Sequence, residues 1–300
     1  MNKIILAVLF AVAGPAFAAE TASFLNVSVG ARGLAMGGAY TTLADDASAL
    51  YWNPAGLAAL DKREVSLSHA ELAQSARLDF AAFALPTQFG TFAADGTYLS
   101  QNAIEGRDAL GHPTASFQAA DAELGAGFGR KTPFADVGAS IKFVQSHIAS
   151  AQAQTVAFDF GARRTLGGVG PGKLILGAAL RNAGPGMKFD SETDSLPLRL
   201  AGGAAYTLPG GHALTLELTH APRVGGLDVG FGGEYQALKG LFVRGGYTTQ
   251  SAVAGGSSFD AARGLTLGLG WRTERWRVDY AALPTGELGT THRFTLGTRW

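Results

Sequence analysis

The chain has 300 residues, and its 24 basic residues balance its 24 acidic ones, so no net charge points to a nucleic-acid partner. Cysteine is absent, which excludes disulfide scaffolds, thiolate zinc sites, iron–sulfur clusters and cysteine nucleophiles. Charged residues make up only 16% of the chain, and its 42 glycines are about twice the usual share. This composition indicates a surface that largely faces something other than water.

Residues 1–18 have the pattern of a secretory signal peptide. Lys3 precedes the apolar run 4–12, and a small-x-small ending follows at Ala16-Phe17-Ala18. The apolar run is too short to span a bilayer, and no later stretch approaches about 18 consecutive apolar residues. We therefore expect an exported chain that begins at Ala19, whose route across a membrane is a closed β-barrel.

Residues 19–62 do not alternate between apolar and polar positions, and we predict that they form a short helical hatch, or plug, in the barrel. Asp45 and Asp46 are expected to cap a helix that ends at Trp52, and Pro54 opens a second short helix. The expected plug residues are Arg32, Asp45, Asp46, Trp52, Asn53, Pro54 and Gly56. For the two aspartates we favour capping and hydrogen bonds to the wall over cation binding.

Residues 63–300 alternate with a period of two, which is typical of β-strands. Leu265 and Leu267 fall on one face of such a run, whereas Thr266 and Gly268 fall on the other. Many of the runs reach the length of about nine residues that a tilted strand needs to cross a bilayer. A soluble β-sandwich also alternates, but it buries its apolar face and uses shorter strands.

We predict about fourteen strands, an even number, as a closed barrel with both termini on the periplasmic side requires. The predicted strands are 64–70, 76–86, 89–100, 115–130, 134–149, 152–165, 172–182, 197–208, 212–220, 226–237, 240–248, 264–274, 275–283 and 289–300. The expected fold class is therefore all-β, a closed antiparallel transmembrane barrel in the outer-membrane lipid of a Gram-negative-type bacterium.

The charges of these strands lie opposite the apolar face, where a barrel has its lumen and where opposite charges can pair or meet water. The predicted lumen-lining charges are Asp159, Arg163, Arg181, Arg199, Glu217, Asp228, Glu234, Arg244, Arg272, Arg277, Asp279, Arg293 and Arg299. Glycines on this face are expected where strands bend or where the plug approaches the wall. The run Gly125-x-Gly127-x-Gly129 is expected in a strand and not in a phosphate-binding loop.

The last strand presents Phe294 and Leu296 and ends on Trp300. This ending resembles the C-terminal signal read by the outer-membrane insertion machinery, which is therefore an expected partner. The alternative is that Trp300 is a residue of the interfacial aromatic belt, and the two roles are compatible.

Enzymatic chemistry is not expected. The six histidines, at 69, 112, 147, 212, 220 and 292, show no metal-binding spacing, and no G-x-S-x-G nucleophile elbow is present. We expect no catalytic residue, no metal and no cofactor. A barrel hydrolase with a less regular motif is the minor alternative.

Three segments, 29–60, 180–200 and 278–294, carry a resemblance to known families. The run Ala-Asp-Asp-Ala-Ser-Ala-Leu-Tyr-Trp-Asn-Pro-Ala-Gly-Leu at 44–57 looks like the start of the PorV/PorQ family of outer-membrane proteins. Its Asn53-Pro54-Ala55-Gly56 element also resembles the N-terminal hatch of the wider FadL-like long-chain fatty acid transporter superfamily. The resemblance implies a fourteen-stranded barrel with an N-terminal hatch.

The resemblance implies two different functions. FadL-like proteins pass hydrophobic small molecules through a plugged lumen and a gap in the wall, which makes such a molecule the expected ligand. PorV serves type IX secretion, so the alternative is a non-transport shuttle or scaffold that binds secreted proteins or other secretion-system partners. Because the mature chain leaves little room for large extracellular loops, we favour the conduit.

Overall fold

The computed structural model describes residues 20–72, 75–108, 110–189, 192–250, 264–285 and 289–300. The predicted signal peptide at 1–18 lies outside these ranges. Within them, no helix is both long enough and apolar enough to cross a membrane.

Strands dominate the described chain. Fourteen of them form one closed antiparallel barrel, and two more form a separate hairpin. The barrel strands are β1 (Glu64–Glu71), β2 (Arg77–Thr87), β3 (Gly90–Ser100), β4 (Ala119–Lys131), β5 (Asp136–Ile148), β6 (Ala151–Val169), β7 (Gly172–Ala183), β10 (Arg199–Leu208), β11 (His212–His220), β12 (Leu227–Leu238), β13 (Leu241–Thr248), β14 (Leu265–Arg272), β15 (Trp276–Pro284) and β16 (Thr290–Arg299). The hairpin strands are β8 (Met187–Phe189) and β9 (Glu192–Asp194).

The barrel closes where the first strand pairs with the last. In that pairing Leu67 of β1 lies opposite Leu296 of β16. Every other pairing joins neighbours along the chain except that of β7 with β10, because the β8–β9 hairpin is inserted between these two strands. The predicted all-β closed barrel of fourteen strands is confirmed, whereas the hairpin was not predicted.

The two faces of the wall differ as the alternation indicates. Leu267 and Leu269 of β14 are more than half exposed on the outer face, whereas Thr266 and Gly268 are buried on the inner face. The outer face is therefore apolar and suited to lipid, and the polar side chains of the strands point inward. The strands therefore do not form the two packed sheets of a soluble β-sandwich.

The connections give the barrel a direction. Six short turns, at 88–89, 132–135, 170–171, 209–211, 239–240 and 273–275, lie at the end where β1 begins and β16 ends. In outer-membrane barrels short turns lie on the periplasmic side, so we name this the periplasmic end and the opposite one the extracellular end. The longer described connections 101–118 and 184–198 are extracellular.

The N-terminal segment, residues 20–62, runs from the extracellular end of the barrel to the periplasmic start of β1. Its helices are a 3₁₀ helix at Ser23–Asn26, α1 (Ala31–Ala35), α2 (Ala49–Trp52) and a 3₁₀ helix at Pro54–Ala59. Most of its side chains are buried, and it packs on the inner faces of β3 to β6 and β13 to β16.

The predicted capping of α2 is wrong in detail. The helix begins only at Ala49, after Ser48. The Asp46 carboxylate accepts hydrogen bonds from both the backbone N–H and the hydroxyl of Ser48, so it shapes the turn before the helix. Asp45 makes an ion pair with Arg32. The following 3₁₀ helix does open at Pro54, with the Asn53 side chain accepting the N–H of Ala55.

Candidate functional site

The site is the contact between the N-terminal segment and the inner wall of the barrel, and glycines in the wall allow it. A Cβ atom at Gly138 of β5 would collide with the backbone of Pro54, and one at Gly232 of β12 would collide with the backbone of Met36. Because these positions lack side chains, the backbone of the segment lies directly on the strands.

Arg32 of α1 joins the segment to the wall. Its Nε and Nη2 donate to the two carboxylate oxygens of Glu234 in β12, at 2.8 and 2.9 Å. Its Nη1 donates to Asp45 at 2.6 Å and to the hydroxyl of Tyr40 at 2.9 Å. Arg32 is only 5% exposed, and its guanidinium makes charge-assisted hydrogen bonds both to the wall and within the segment.

From Glu234 a chain of ion pairs continues through the wall and returns to the segment. Glu234 pairs with Arg244 at 2.6 Å, and Arg244 pairs with Asp279 at 2.7 Å. Arg277 lies 3.2 Å from Asp279 and 2.8 Å from Asp46. We call this set, with Asp45 and with Glu64 at 3.2 Å from Arg277, the ion-pair network.

The neighbours of Arg32 and Asp46 in the network hold both groups in their charged forms. Burial lowers the pKa of Arg32, but Asp45 and Glu234 outweigh burial and keep that pKa above its ordinary value. Burial raises the pKa of Asp46, but Arg277 and the hydrogen bond from Ser48 lower it to about 2. Both groups therefore stay charged at neutral pH.

The predicted Trp52-Asn53-Pro54-Ala55-Gly56 element holds the segment in shape. Asn53 Nδ2 donates to the carbonyl of Thr41 at 2.9 Å and to that of Ala162, in β6 of the wall, at 3.4 Å. Trp52 Nε1 donates to the carbonyl of Val29 at 3.1 Å. A Cβ at Gly56 would collide with the carbonyl of Ala44, so the backbone at Ala44 lies directly against this glycine.

Four of the predicted lumen charges meet around a polar cavity of about 40 Å³ in the extracellular half of the barrel; they are Arg181, Arg199, Glu217 and Asp228. Tyr51 and Trp52 line its other side, and the Arg181 guanidinium lies 5.8 and 5.7 Å from their ring centroids.

Two of these charges anchor the N-terminal segment. Arg199 pairs with Glu20 at 2.8 Å, and Glu217 accepts hydrogen bonds from the N–H and hydroxyl of Thr41, both at 2.8 Å.

The other predicted lumen charges are also buried or half-buried. Asp159 pairs with Lys142 at 2.6 Å, and Arg163 pairs with Asp136 at 3.0 Å. Arg293 donates to the carbonyl of Ser28. Arg272 lies over the ring of Phe242 at 5.1 Å, and Arg299 donates to the carbonyl of Glu274 at the periplasmic mouth.

An apolar cluster lies between the start of the segment and the wall, near the extracellular end. Phe24 and Leu25 pack there with Val144 of β5 and with Met187 and Leu196 of the hairpin connection. All five side chains are at most 5% exposed. The connection that contains the β8–β9 hairpin, for which no strand was predicted, thus helps to cover the extracellular end of the lumen.

Several solved structures have a fold similar to that of this barrel. The Ralstonia pickettii toluene transporter TbuX aligns with a TM-score of 0.59 at 15% identity, over 91% of this chain and 97% of TbuX. The CymD monoaromatic hydrocarbon channel aligns at 0.55 and 10% identity, again over 91% and 97%. A FadL homologue from Pseudomonas aeruginosa aligns at 0.50 and 12% identity, over 87% and 95%. The fold of this chain is similar to that of these outer-membrane barrels.

Sequence comparison adds less. The profile of an uncharacterised protein family (UPF0164) matches residues 14–99, which end within β3 of the barrel. A search of curated proteins found no match. The finer resemblance to PorV and PorQ stays a prediction.

Several charged residues inside the barrel were not among the predicted residues. Glu20 and Glu64 make the ion pairs given above, and Asp95, Glu123 and Lys142 are buried on the inner faces of β3, β4 and β5. The same alternation could have found Lys142, because it stands between the outward-facing Ile141 and Phe143.

The end of the chain completes the closure of the barrel. Trp300 and Arg63 exchange two backbone hydrogen bonds of 3.1 Å, and the Trp300 ring stacks on Phe83 of β2 at a centroid distance of 6.5 Å. Phe294 and Leu296 face outward from β16 and are about half exposed, at 54% and 45%.

Proposed function

We propose that this protein is an outer-membrane conduit for small hydrophobic molecules and that residues 20–62 act as its plug. The observation that carries the proposal is the ion-pair network, which attaches a buried N-terminal segment to the inner wall of a barrel of FadL type. The similar barrels include a toluene transporter and a monoaromatic hydrocarbon channel, which supports a solute of that class.

The chemistry of the attachment supports a plug better than a permanent core. Well-packed apolar side chains would stabilise an inert filling at least as well as buried ion pairs do. Ion pairs such as that of Arg32 with Glu234 fix one arrangement of the segment, yet they can be broken without moving a strand. A segment held this way can shift or loosen while the barrel stays closed.

The apolar cluster at the extracellular end suits the entry of such a solute. Phe24 and Leu25 of the segment and Met187 and Leu196 of the hairpin connection form a buried apolar cluster at the end of the barrel from which an incoming molecule would arrive. A small aromatic hydrocarbon that displaced Leu25 or Met187 would exchange one apolar contact for another. The plug would then have to yield for the solute to continue.

Uptake of radiolabelled toluene into intact cells tests the proposal. Cells that produce the full chain should take up toluene faster than cells that lack it, and Arg32→Ala or deletion of 29–60 should raise the rate further. Arg107→Ala, in an exposed loop, is the matched control and should behave as the full chain. Circular dichroism of each purified variant confirms that the barrel has formed.

Two outcomes contradict the proposal. A full-chain rate equal to that of cells lacking the protein would overturn the conduit. Equal rates for the full chain and both folded plug variants would overturn gating by the plug. Recovery of a secreted protein by cross-linking on intact cells, together with unchanged toluene uptake, would favour the secretion-system alternative.

A further inference from the structure

Two carboxylates on the inner wall have oxygens without a hydrogen-bond partner in the described chain. Asp95 of β3 and Glu123 of β4 are 7% and 3% exposed. Neither carboxylate oxygen of Asp95, nor Oε1 of Glu123, has a hydrogen-bond partner in the described chain. A buried charged group normally has its oxygens paired, because an unpaired ion loses its hydration without compensation.

The two carboxylates converge on one point. Asp95 lies directly across from Gly125 in the pairing of β3 with β4, and Glu123 precedes Gly125 by two residues on the same face. The position that a Cβ of Gly125 would occupy lies within contact distance of both Asp95 Oδ1 and Glu123 Oε1. Two carboxylate oxygens from neighbouring strands thus lie close together over Gly125, where any side chain at that position would collide with them.

The charge around this volume is not balanced. Lys142 of β5 is the adjacent cation, and it is already 2.6 Å from Asp159 and 3.1 Å from the Asn182 side-chain oxygen. Asp95, Glu123 and Asp159 therefore share one ammonium group, which leaves two buried carboxyl groups without a paired cation among the described residues.

Other cations of this half of the interior are engaged elsewhere. Arg181 lies over Tyr51 and Trp52, and Arg293 donates to the carbonyl of Ser28.

We propose that Asp95 and Glu123 bind a divalent cation over Gly125. A charge of two compensates the imbalance, and oxygen-only ligands select a hard cation. We assign it to Ca²⁺ and not to Mg²⁺, because Ca²⁺ accepts irregular sets of oxygen ligands, whereas Mg²⁺ demands octahedral geometry and keeps several waters. The hydroxyl of Ser140 in β5, which has no partner among the described residues, lies on the same inner face as a further oxygen donor.

This site is independent of the proposed transport. The cation would tie β3 to β4 within the wall, near α2 of the N-terminal segment, and would add to the stability of the closed barrel. Its presence or absence can be decided on purified protein without any measurement of uptake.

The test is equilibrium dialysis of the full mature chain in detergent against ⁴⁵Ca²⁺ after treatment with EDTA, together with thermal unfolding at one scan rate. We expect one Ca²⁺ per chain and a higher unfolding temperature in its presence. Asp95→Asn/Glu123→Gln, which keeps the shape of both side chains, should lose the binding and the thermal response. Asp228→Asn, an inward-facing carboxylate variant on the opposite wall, should keep both.

Several results would overturn the site. They are absence of binding to the full chain, equal binding by the double variant, and binding of Mg²⁺ with no response to Ca²⁺. Stability that ignores Ca²⁺ but falls as the pH rises would show that the two carboxyl groups hold a proton instead, since a shared proton is lost at higher pH.

Discussion

The Arg32 guanidinium contacts both carboxylate oxygens of Glu234, with N–O distances of 2.8 and 2.9 Å. The two residues are 202 positions apart in the sequence and are both almost fully buried. This fork-to-fork geometry is the strongest arrangement that an arginine and a carboxylate can adopt. It links the first α-helix of the N-terminal segment to the wall.

Arg32→Ala should therefore destabilise the protein strongly. Glu234 then keeps only Arg244 as its partner and loses both hydrogen bonds from Arg32, and breaking such a buried ion pair costs about 3 kcal/mol. Urea unfolding of the purified barrel, with limited proteolysis of the N-terminal segment, measures the effect. Arg107→Ala removes an exposed ion pair and should change the free energy of unfolding by less than about 0.5 kcal/mol.

A double variant separates the pair from its surroundings. Arg32→Met combined with Glu234→Gln should cost less than the sum of the two single changes, because each single change already removes the contact between the two residues. Additive costs would show that the two residues do not act as a pair.

The Asp46 contact with Arg277 should make the attachment sensitive to acid. The pKa of Asp46 is lowered to about 2, so its contribution to stability is fully present above the ordinary carboxyl range near 4 and is lost as the pH falls toward 2. Asp46→Asn should lower the thermal midpoint at pH 7. The gap between this variant and the wild type should close between pH 4 and pH 2. A gap that persists at pH 2 would contradict the assignment.

Close approach of the segment to the wall can be tested at Gly138. A valine at this position would push against the backbone of Pro54, and neither the strand nor the proline ring can yield by a rotamer change. We expect Gly138→Val to displace the 3₁₀ helix and increase proteolysis of residues 54–60, while circular dichroism still shows a barrel. Gly202→Val is the control, because nothing lies within 4 Å of a Cβ atom at that position. Equal proteolysis of the two variants would show that the contact is unimportant.

The barrel could be predicted from the sequence because each strand carries its own information. Alternation such as that of Leu265, Thr266, Leu267 and Gly268 sets which face meets lipid, and no distant residue is needed to read it. The strand bounds differ from the structure by only a few residues for the same reason. The β8–β9 hairpin was not predicted because its three-residue strands are too short to show an alternation of apolar and polar residues.

Pairing inside the lumen could not be predicted in the same way. Alternation placed Glu234, Arg244 and Asp279 on the inner face, but partners depend on register and on the path of the N-terminal segment. Arg32 was singled out from its motif, and nothing in the sequence joins it to Glu234. Asp46 was expected to cap a helix, whereas a wall arginine and Ser48 take up its oxygens.

The C-terminal Trp300 gives a prediction about assembly of the barrel. Its backbone pairs with Arg63 and its ring stacks on Phe83, so the last residue helps to fasten β16 to the start of β1. Deleting Trp300 removes both the closure contact and the terminal aromatic group. We expect a lower fraction of heat-modifiable, folded protein in the outer-membrane fraction, with unchanged export to the periplasm.

Trp300→Phe keeps an aromatic ring and both backbone hydrogen bonds and should insert normally, whereas Trp300→Ala keeps only the backbone bonds. Poor insertion of the alanine variant would assign the role to the aromatic ring, and normal insertion would assign it to the backbone hydrogen bonds with Arg63. Normal insertion of the truncated chain would exclude both roles.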